Sequence, residues 1–329
     1  MLLEDLSAGV ILLGIIAYAV FGGADFGGGV WTALASGPRA AQQREAVFRA
    51  MGPVWETNHI WLIFVIVTLF TAFPSAFAQL FTALFIPLVV VLVGIIFRGV
   101  AFAFRHFGDG NETRVPLVGA FFSIASIITP LAMGIALGAV ASGDISAQGG
   151  AATLRSNPWL RPFPLATGLI GVAVCAFLTA YFMTVRTDGQ LREDFRRRGI
   201  LASVALGALT TVALLVASWD ARPFWERLFA PFPLVVIGTA VILGLASLVV
   251  LWRRLYTLAP PVAAGTVALV LAGWGAVQYP YLIPPDQRIS DLAAGPTTLV
   301  PFLVSLVIGA VVLVPSLVFL YRTFSEKTG

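Results

Sequence analysis

The sequence predicts an all-α, multi-pass membrane protein with about nine transmembrane helices, and its composition is the first reason. Apolar residues make up 59% of the 329 residues and charged residues only 11%, whereas a soluble domain has about 25% charged residues. The mean hydropathy is +0.94. The apolar residues also fall in runs close to or above the roughly 20 residues that a helix needs to cross a membrane. We therefore expect one integral-membrane domain over residues 1–329.

Nine apolar segments, separated by polar connections, are the predicted spans. They cover residues 6–34, 54–73, 76–104, 116–141, 163–185, 199–218, 231–252, 261–279 and 297–321. The number nine favours two four-helix bundles plus one peripheral helix. The first four spans would lie in residues 1–141, the next four in 160–279 and the last in 297–321. The arginine-ended stretches 84–98 and 232–254 are faintly alike, which supports a repeat only weakly because apolar helices resemble one another by composition.

The distribution of basic residues predicts the orientation. The connections after spans 1, 3, 5 and 7, together with the C-terminus, carry fourteen of the twenty basic residues, and the opposite connections carry five. Because basic loops are retained in the cytoplasm, we expect the N-terminus outside and the C-terminus in the cytoplasm. These loop arginines also explain the net charge of +4, so that charge does not indicate nucleic-acid binding.

Two carboxylates, Asp25 and Glu56, lie inside otherwise apolar, membrane-length segments. A carboxylate in hydrocarbon costs several kcal/mol unless it is paired, protonated or hydrated. Both are therefore candidates for a proton or ion path. Asp25 lies in the glycine-rich run 22–29, in which Gly23 and Gly27 form a face that lets a neighbouring helix approach closely. The glycines also weaken the helix and leave room for a local irregularity.

The second span opens with a polar group that contains Trp55, Glu56, Asn58 and His59. His59 follows Glu56 at i+3 and shares its helix face, and a carboxylate beside an imidazole can pass a proton. We predict that Glu56 and His59 join Asp25 in a proton path, with Asn58 and Trp55 as supporting residues. The alternative is an interfacial anchor, in which the tryptophan lies at headgroup level.

Arg98 ends an apolar helix on the same side of the membrane as the two acids. It is placed to pair with either carboxylate and to keep it ionised. Two alternatives stay open: an arginine that extends to the membrane surface, and a purely structural Asp25–Arg98 ion pair.

Residues for redox chemistry are scarce. The chain has two histidines, four methionines and one cysteine, and haem ligation normally takes one of these three residue types. The sequence contains no metal-ligand cluster and no nucleotide-binding motif. These numbers leave room for one haem but not for several, and we assign no haem-binding, metal-binding or redox-catalytic residue in this chain.

Four stretches resemble subunit II of the cytochrome bd-type quinol oxidases. They are GGADFGGGVW (22–31), GPVWETNHIWLIF (52–64), LFTAFPSAFA (69–78) and ALFIPLVVVLVGIIFRGVAFAFR (83–105). Their order and spacing are preserved over the first three spans. Beyond about residue 116 the resemblance is in hydropathy, length and helix count. Some members of the family have Asp at position 56 and Gln at position 59 of this numbering.

The resemblance implies a heterodimer in a bacterial cell membrane with a subunit I that binds haem b, haem d and the quinol. The complex would oxidise quinol and reduce O2 to water with cytoplasmic protons. This chain would be the non-haem subunit, not catalytic alone, which scaffolds subunit I and supplies part of the cytoplasmic proton path. Asp25 and Glu56 match the family's acids in such a path, and Arg98 matches its buried arginine. The resemblance leaves open a structural quinone or lipid and a small accessory subunit.

A proton-coupled transporter is the rival hypothesis from another class. It would use the same two acids, with the glycine-rich first span as a hinge. Transporters of this kind often have interrupted helices in two corresponding halves. Here only the first span carries such a signal and the second half has no intramembrane acid, so the pattern favours the oxidase subunit.

Overall fold

The computed structural model is almost entirely helical. It describes residues 2–51, 55–107, 116–145 and 157–325, without the side chains of residues 55, 56, 105–107, 116, 117 and 320–325. The helices are α1 (Leu2–Ala33), α2 (Ala40–Met51), α3 (Trp55–Asn58), α4 (Ile60–Ala72), α5 (Pro74–Ala83), α6 (Phe85–Phe107), α7 (Pro116–Ser142), α8 (Pro162–Arg186), α9 (Gly189–Asp220), α10 (Arg222–Leu228), α11 (Pro231–Trp252), α12 (Ala259–Gln278), α13 (Ile289–Leu292) and α14 (Pro296–Ser325). Strands β1 (Tyr281–Ile283) and β2 (Gln287–Arg288) pair antiparallel.

The predicted multi-pass helical fold is confirmed. Within the described residues, eight helices are long and apolar enough to cross a membrane, namely α1, α6, α7, α8, α9, α11, α12 and α14. The remaining predicted span, 54–73, is divided into α3 and α4. Helix α4 has 13 residues, or about 20 Å at 1.5 Å per residue, which is less than the ~30 Å hydrocarbon core.

The helix interruptions lie elsewhere than the glycines suggested. Helix α1 continues without a break through the glycine-rich run. The chain is interrupted instead at His59, between α3 and α4, and at Leu84, between α5 and α6. The glycines lie at close contacts with neighbouring helices, and this packing compensates for their weak helix propensity.

Helices α1 and α8 form the centre of the molecule. Helix α1 packs against α4, α7, α8 and α12, while α8 also packs against α7, α9 and α12. A Cβ atom on Gly27 would overlap the Cys175 carbonyl oxygen of α8. Between α7 and α8, Gly134 and Gly171 each face a backbone carbonyl of the other helix. Close packing of small residues is a principal source of helix association in lipid.

Helix α14 lies at the periphery. It contacts α1 and α4. Leu299 near its start is buried, but the 18-residue apolar part after it buries no residue inside the protein. The prediction of one peripheral last helix is therefore confirmed.

Three arginine-bearing segments meet at one end of the bundle. Arg39, after α1, places its Nη2 atom 2.6 Å from Asp194 Oδ1 in the first turns of α9. Arg196 Nη1 donates to the Leu251 carbonyl oxygen at the end of α11, over 3.4 Å. We call this the arginine-rich end; it comprises the 34–39 loop, α2, the α8–α9 turn and the end of α11. At the opposite end of α9, Asp220 pairs with Arg161.

Candidate functional site

Asp25 is buried on α1, with 6% of its surface exposed. It lies eight residues before the end of α1 at Ala33, or about 12 Å along the axis. The Asn58 Nδ2 atom donates a hydrogen bond of 2.5 Å to Asp25 Oδ2. Asn58 is itself buried and is the last residue of α3. The structure therefore brings two of the predicted site residues into direct contact.

Glu56 and Trp55 lie in α3 by their backbone. Their side chains are outside the described residues. Glu56 precedes His59 by three residues. Because its side chain is not described, its place in the proton path stays a prediction.

His59 sits at the interruption between α3 and α4, with φ −71° and ψ −16°. Its Nδ1 atom lies 3.3 Å from the hydroxyl oxygen of Tyr18 on α1. Phe26 packs against both rings, with centroids 6.0 Å from His59 and 6.5 Å from Tyr18. The imidazole is thus held against α1 by a hydrogen bond and by aromatic contacts.

Arg98 is 2% exposed, so it does not extend to the protein surface. Its guanidinium lies 4.7 Å from the ring centroid of Phe26 and 5.6 Å from that of Phe122. No direct ion pair between Arg98 and Asp25 is found among the described residues. The Nε and Nη2 atoms have no hydrogen-bond partner in the described part of the chain. Stacking on aromatic faces offsets part of the cost of burying such a cation.

A cavity of about 280 Å³ connects Asp25 with the arginine-rich end. Asp25, Asn58 and Thr179 line one part of it, and Arg186, the last residue of α8, lines another. Helix α2 contributes one wall through the following three residues: Val47, Ala50 and Met51. The buried carboxylate therefore faces a space that extends along α8 to the end of that helix.

Sequence reasoning missed Tyr18 and Thr179. The Thr179 Oγ1 atom donates to the Ala24 carbonyl oxygen at 2.5 Å, beside Asp25. Tyr18 precedes Asp25 by seven residues, which places the two on the same face of α1. That spacing of two polar residues in an apolar helix was a usable signal for Tyr18. Thr179 is 155 residues from Ala24, and no local pattern links them.

The fold and this site define the class: a multi-pass helical membrane protein with a buried carboxylate against an internal cavity. The family model for cytochrome bd terminal oxidase subunit II matches residues 3–324. The chain therefore belongs to the cytochrome bd terminal oxidase subunit II family, as its motifs indicated.

Individual relatives are distant in sequence. The chain is 29% identical to cytochrome bd-I ubiquinol oxidase subunit 2 of Escherichia coli (strain K12) over 221 residues, which is 64% of this chain and 54% of that protein. It is 26% identical to cytochrome bd ubiquinol oxidase subunit 2 of Bacillus subtilis (strain 168), over 71% of this chain and 69% of that protein. The match thus spans about half the length of the Escherichia coli relative.

A solved structure of bd oxidase from Geobacillus thermodenitrificans contains a chain with the same fold. The TM-score is 0.83 at 22% sequence identity, and the alignment covers 98% of this chain and 99% of that chain. This likeness extends over the whole fold, including the region beyond residue 116 where the sequence resemblance was weakest.

Proposed function

We propose that this chain is the non-haem subunit of a cytochrome bd-type quinol oxidase and that it carries part of the proton path. Protons would enter at the arginine-rich end, cross the cavity and reach Asp25, with Glu56 and His59 completing the path. One observation carries this proposal: a buried carboxylate that lines a cavity extending to the arginine-rich end.

The chemistry of the site fits intermittent protonation of Asp25. The Asn58 amide donates to one oxygen of the Asp25 carboxyl group, and Asp25 also lines the cavity. A cavity of about 280 Å³ has room for several waters. Water in the cavity would link Asp25 to the proton source at the surface.

In this proposal the redox chemistry belongs to a partner subunit I. That subunit would bind haem b, haem d and the quinol, and the complex would reduce O2 to water. Family membership supports this assignment. The present chain would hold subunit I in place with its rigid bundle, in which α1 and α8 pack backbone to backbone at Gly27. We propose no role in haem ligation for its residues.

The transporter hypothesis loses its main support. It required the glycine-rich part of α1 to act as a hinge, but α1 is continuous there. Gly27 also lies against the backbone of α8, so bending at this point would separate two tightly packed helices.

Neutralising Asp25 in the assembled oxidase tests the proposal. We expect Asp25→Asn and Glu56→Gln to lower quinol-dependent O2 consumption about tenfold or more, because a positioned proton-transfer group typically contributes at least 10²-fold. The haem spectrum should stay intact. Glu45→Gln is the matched control, because Glu45 lies on α2 and pairs with Arg49 away from the cavity.

The outcomes separate the three hypotheses. Wild-type turnover in Asp25→Asn would remove this acid from the mechanism. Loss of haem and of the partner subunit would favour a structural role for Asp25. Proton-driven solute uptake by the chain without a partner would revive the transporter.

The proposal also places the arginine-rich end in the cytoplasm and the N-terminus outside. Fusions of a reporter that fluoresces only in the cytoplasm check this at Ser36 in the 34–39 loop and at Asp286 in the β1–β2 hairpin. Fluorescence is expected from the first fusion and not from the second. The reverse pattern would place proton entry on the wrong side for this function.

A further inference from the structure

The interruption at His59 lets two adjacent residues contact the same helix. In a continuous helix neighbouring side chains diverge by about 100°. Here Asn58 donates to Asp25, and His59 Nδ1 meets the hydroxyl of Tyr18. Because Tyr18 and Asp25 are seven residues apart on α1, they lie on one face, about 10.5 Å apart along the axis. The interruption therefore places the Asn58 amide and the His59 imidazole against two positions of α1 that are about two turns apart.

The burial of Tyr18 decides which atom donates. Tyr18 is 8% exposed, and a buried tyrosine hydroxyl needs an acceptor. His59 Nδ1 is the partner of this hydroxyl within the described residues. If Nδ1 carried the proton, the tyrosine proton would have no acceptor in that part of the chain. The Tyr18 hydroxyl therefore donates to Nδ1, and neutral His59 carries its own proton on Nε2.

The surrounding contacts hold this arrangement. The Phe26 ring lies edge-on to Tyr18 and to His59, and the Arg98 guanidinium covers Phe26. Nδ1 is occupied by a donated hydrogen bond, so a proton could be accepted there only if the tyrosine hydroxyl turned away.

We propose that His59 serves the proton path as a neutral hydrogen-bond donor through Nε2–H, with Tyr18 as the positioning residue that fixes this tautomer. His59 then orients the path and does not itself carry the moving proton. Tyr18 also keeps its proton throughout. This inference rests on the proposed function and assigns the role of one residue in it.

A donor and a proton carrier respond differently to glutamine at position 59. The Gln side chain can accept from Tyr18 through Oε1 and donate through its amide, but it cannot titrate. We expect His59→Gln in the intact oxidase to keep at least half of the wild-type kcat. His59→Leu, which lacks donor and acceptor, should lose about tenfold. If His59 carried protons, His59→Gln would fall as far as His59→Leu, which would overturn the inference.

Tyr18→Phe tests the positioning step. We expect kcat to fall about fivefold, as for the loss of one neutral hydrogen bond, with KM for quinol unchanged and a larger solvent deuterium isotope effect. In the His59→Leu background, Tyr18→Phe should have no further effect, because both act through one interaction. Additive losses in the double variant would contradict the positioning role.

Tyr181→Phe is the matched control. Tyr181 is a buried tyrosine whose hydroxyl is hydrogen-bonded to Ser203 and Ser247 at 2.8 and 3.1 Å, away from His59. The kcat of Tyr181→Phe should equal that of the wild type. An equal fall in kcat in both Tyr→Phe variants would reduce Tyr18 to a packing role.

The proposed function and the present inference can be rejected independently. Wild-type turnover in Asp25→Asn rejects the proton path, whereas a normal Tyr18→Phe beside an impaired Asp25→Asn rejects only the present inference.

Discussion

Replacing Gly27 by alanine should destabilise the bundle, because the added methyl group has no room. A Cβ atom at this position would overlap the Cys175 carbonyl oxygen and the Thr179 Oγ1 atom. The hydroxyl could rotate, but the carbonyl belongs to the backbone of α8. Helices α1 and α8 must therefore move apart at the centre of the molecule.

The size of the effect follows from two destabilising contributions and one stabilising contribution. Overpacking typically costs about 1–3 kcal/mol. Separation of the helices also weakens the hydrogen bond from Thr179 to the Ala24 carbonyl, which is worth about 1 kcal/mol. The better helix propensity of alanine returns roughly 1 kcal/mol. We therefore expect a net loss of about 1–3 kcal/mol, seen as a melting temperature several degrees lower.

Two other glycines of α1 serve as controls. Gly9 has no atom within 4 Å of an added Cβ, so Gly9→Ala should leave the melting temperature equal or slightly higher. In Gly28→Ala the nearest atom is the flexible Met51 thioether, and an intermediate effect is expected. The assay heats the detergent-solubilised, fluorescently tagged complex and measures the fraction that remains monodisperse by size-exclusion chromatography. Equal melting temperatures for Gly27→Ala and Gly9→Ala would refute the backbone-to-backbone packing of α1 on α8.

Three further predictions concern other parts of the bundle. Asp194 accepts hydrogen bonds from Arg39 and Gln43 and so holds α2 over the cavity. Asp194→Ala should therefore speed maleimide labelling of a cysteine at cavity residue 24 (Ala24→Cys in a Cys175→Ala background) several-fold. Glu193→Ala is the control, since Glu193 pairs with Arg196 and Arg254 instead, and equal labelling rates in the two variants would exclude α2 as the barrier. Asp220→Asn should destabilise the protein by about 1–3 kcal/mol, because Asp220 accepts hydrogen bonds from Arg161 and from the Phe163 amide. Turnover per folded complex should stay normal, and reduced turnover in folded protein would extend the proton path to this end of the bundle. Tyr181→Phe should lower the free energy of unfolding by only about 1 kcal/mol. The effect is small because Ser203 and Ser247 keep their hydrogen bonds to the Gly199 and Gly244 carbonyls in this variant. An unchanged melting temperature would show that this network contributes nothing to stability.

The number of helices and their crossing segments could be predicted because each span is a local property. A helix in lipid must satisfy its own backbone hydrogen bonds, so a run of about 20 apolar residues is sufficient evidence for it. The second span shows the limit of this rule. From Ile60 to Phe73 this span is apolar apart from Thr68 and Thr71, yet the helix is interrupted at His59, whose side chain contacts Tyr18 of α1.

Asp25, Asn58 and His59 were recognisable as candidate site residues because polar groups in an apolar span are costly to bury and are candidates for function. Their partners were not recognisable. Arg98 has the charge expected of the partner of Asp25, but its guanidinium lies over Phe26 and Phe122, and the direct partner of Asp25 is Asn58. Tyr18 carried one local signal, its seven-residue spacing from Asp25, but its contact with His59 appears only in the structure.

The sequence by itself therefore determined the class of protein, the position of its spans, the arginine-rich loops and the buried Asp25, since these depend on composition within about 20 residues. The tertiary structure alone decided which polar groups meet and where the cavity runs. Those features depend on the rotation and spacing of helices whose contacting residues are far apart in the chain, such as Gly27 of α1 and Cys175 of α8. Small residues at such crossings set the distance between two helices so closely that one added methyl group would not fit. The sequence of a single helix does not show which residues of another helix it will contact.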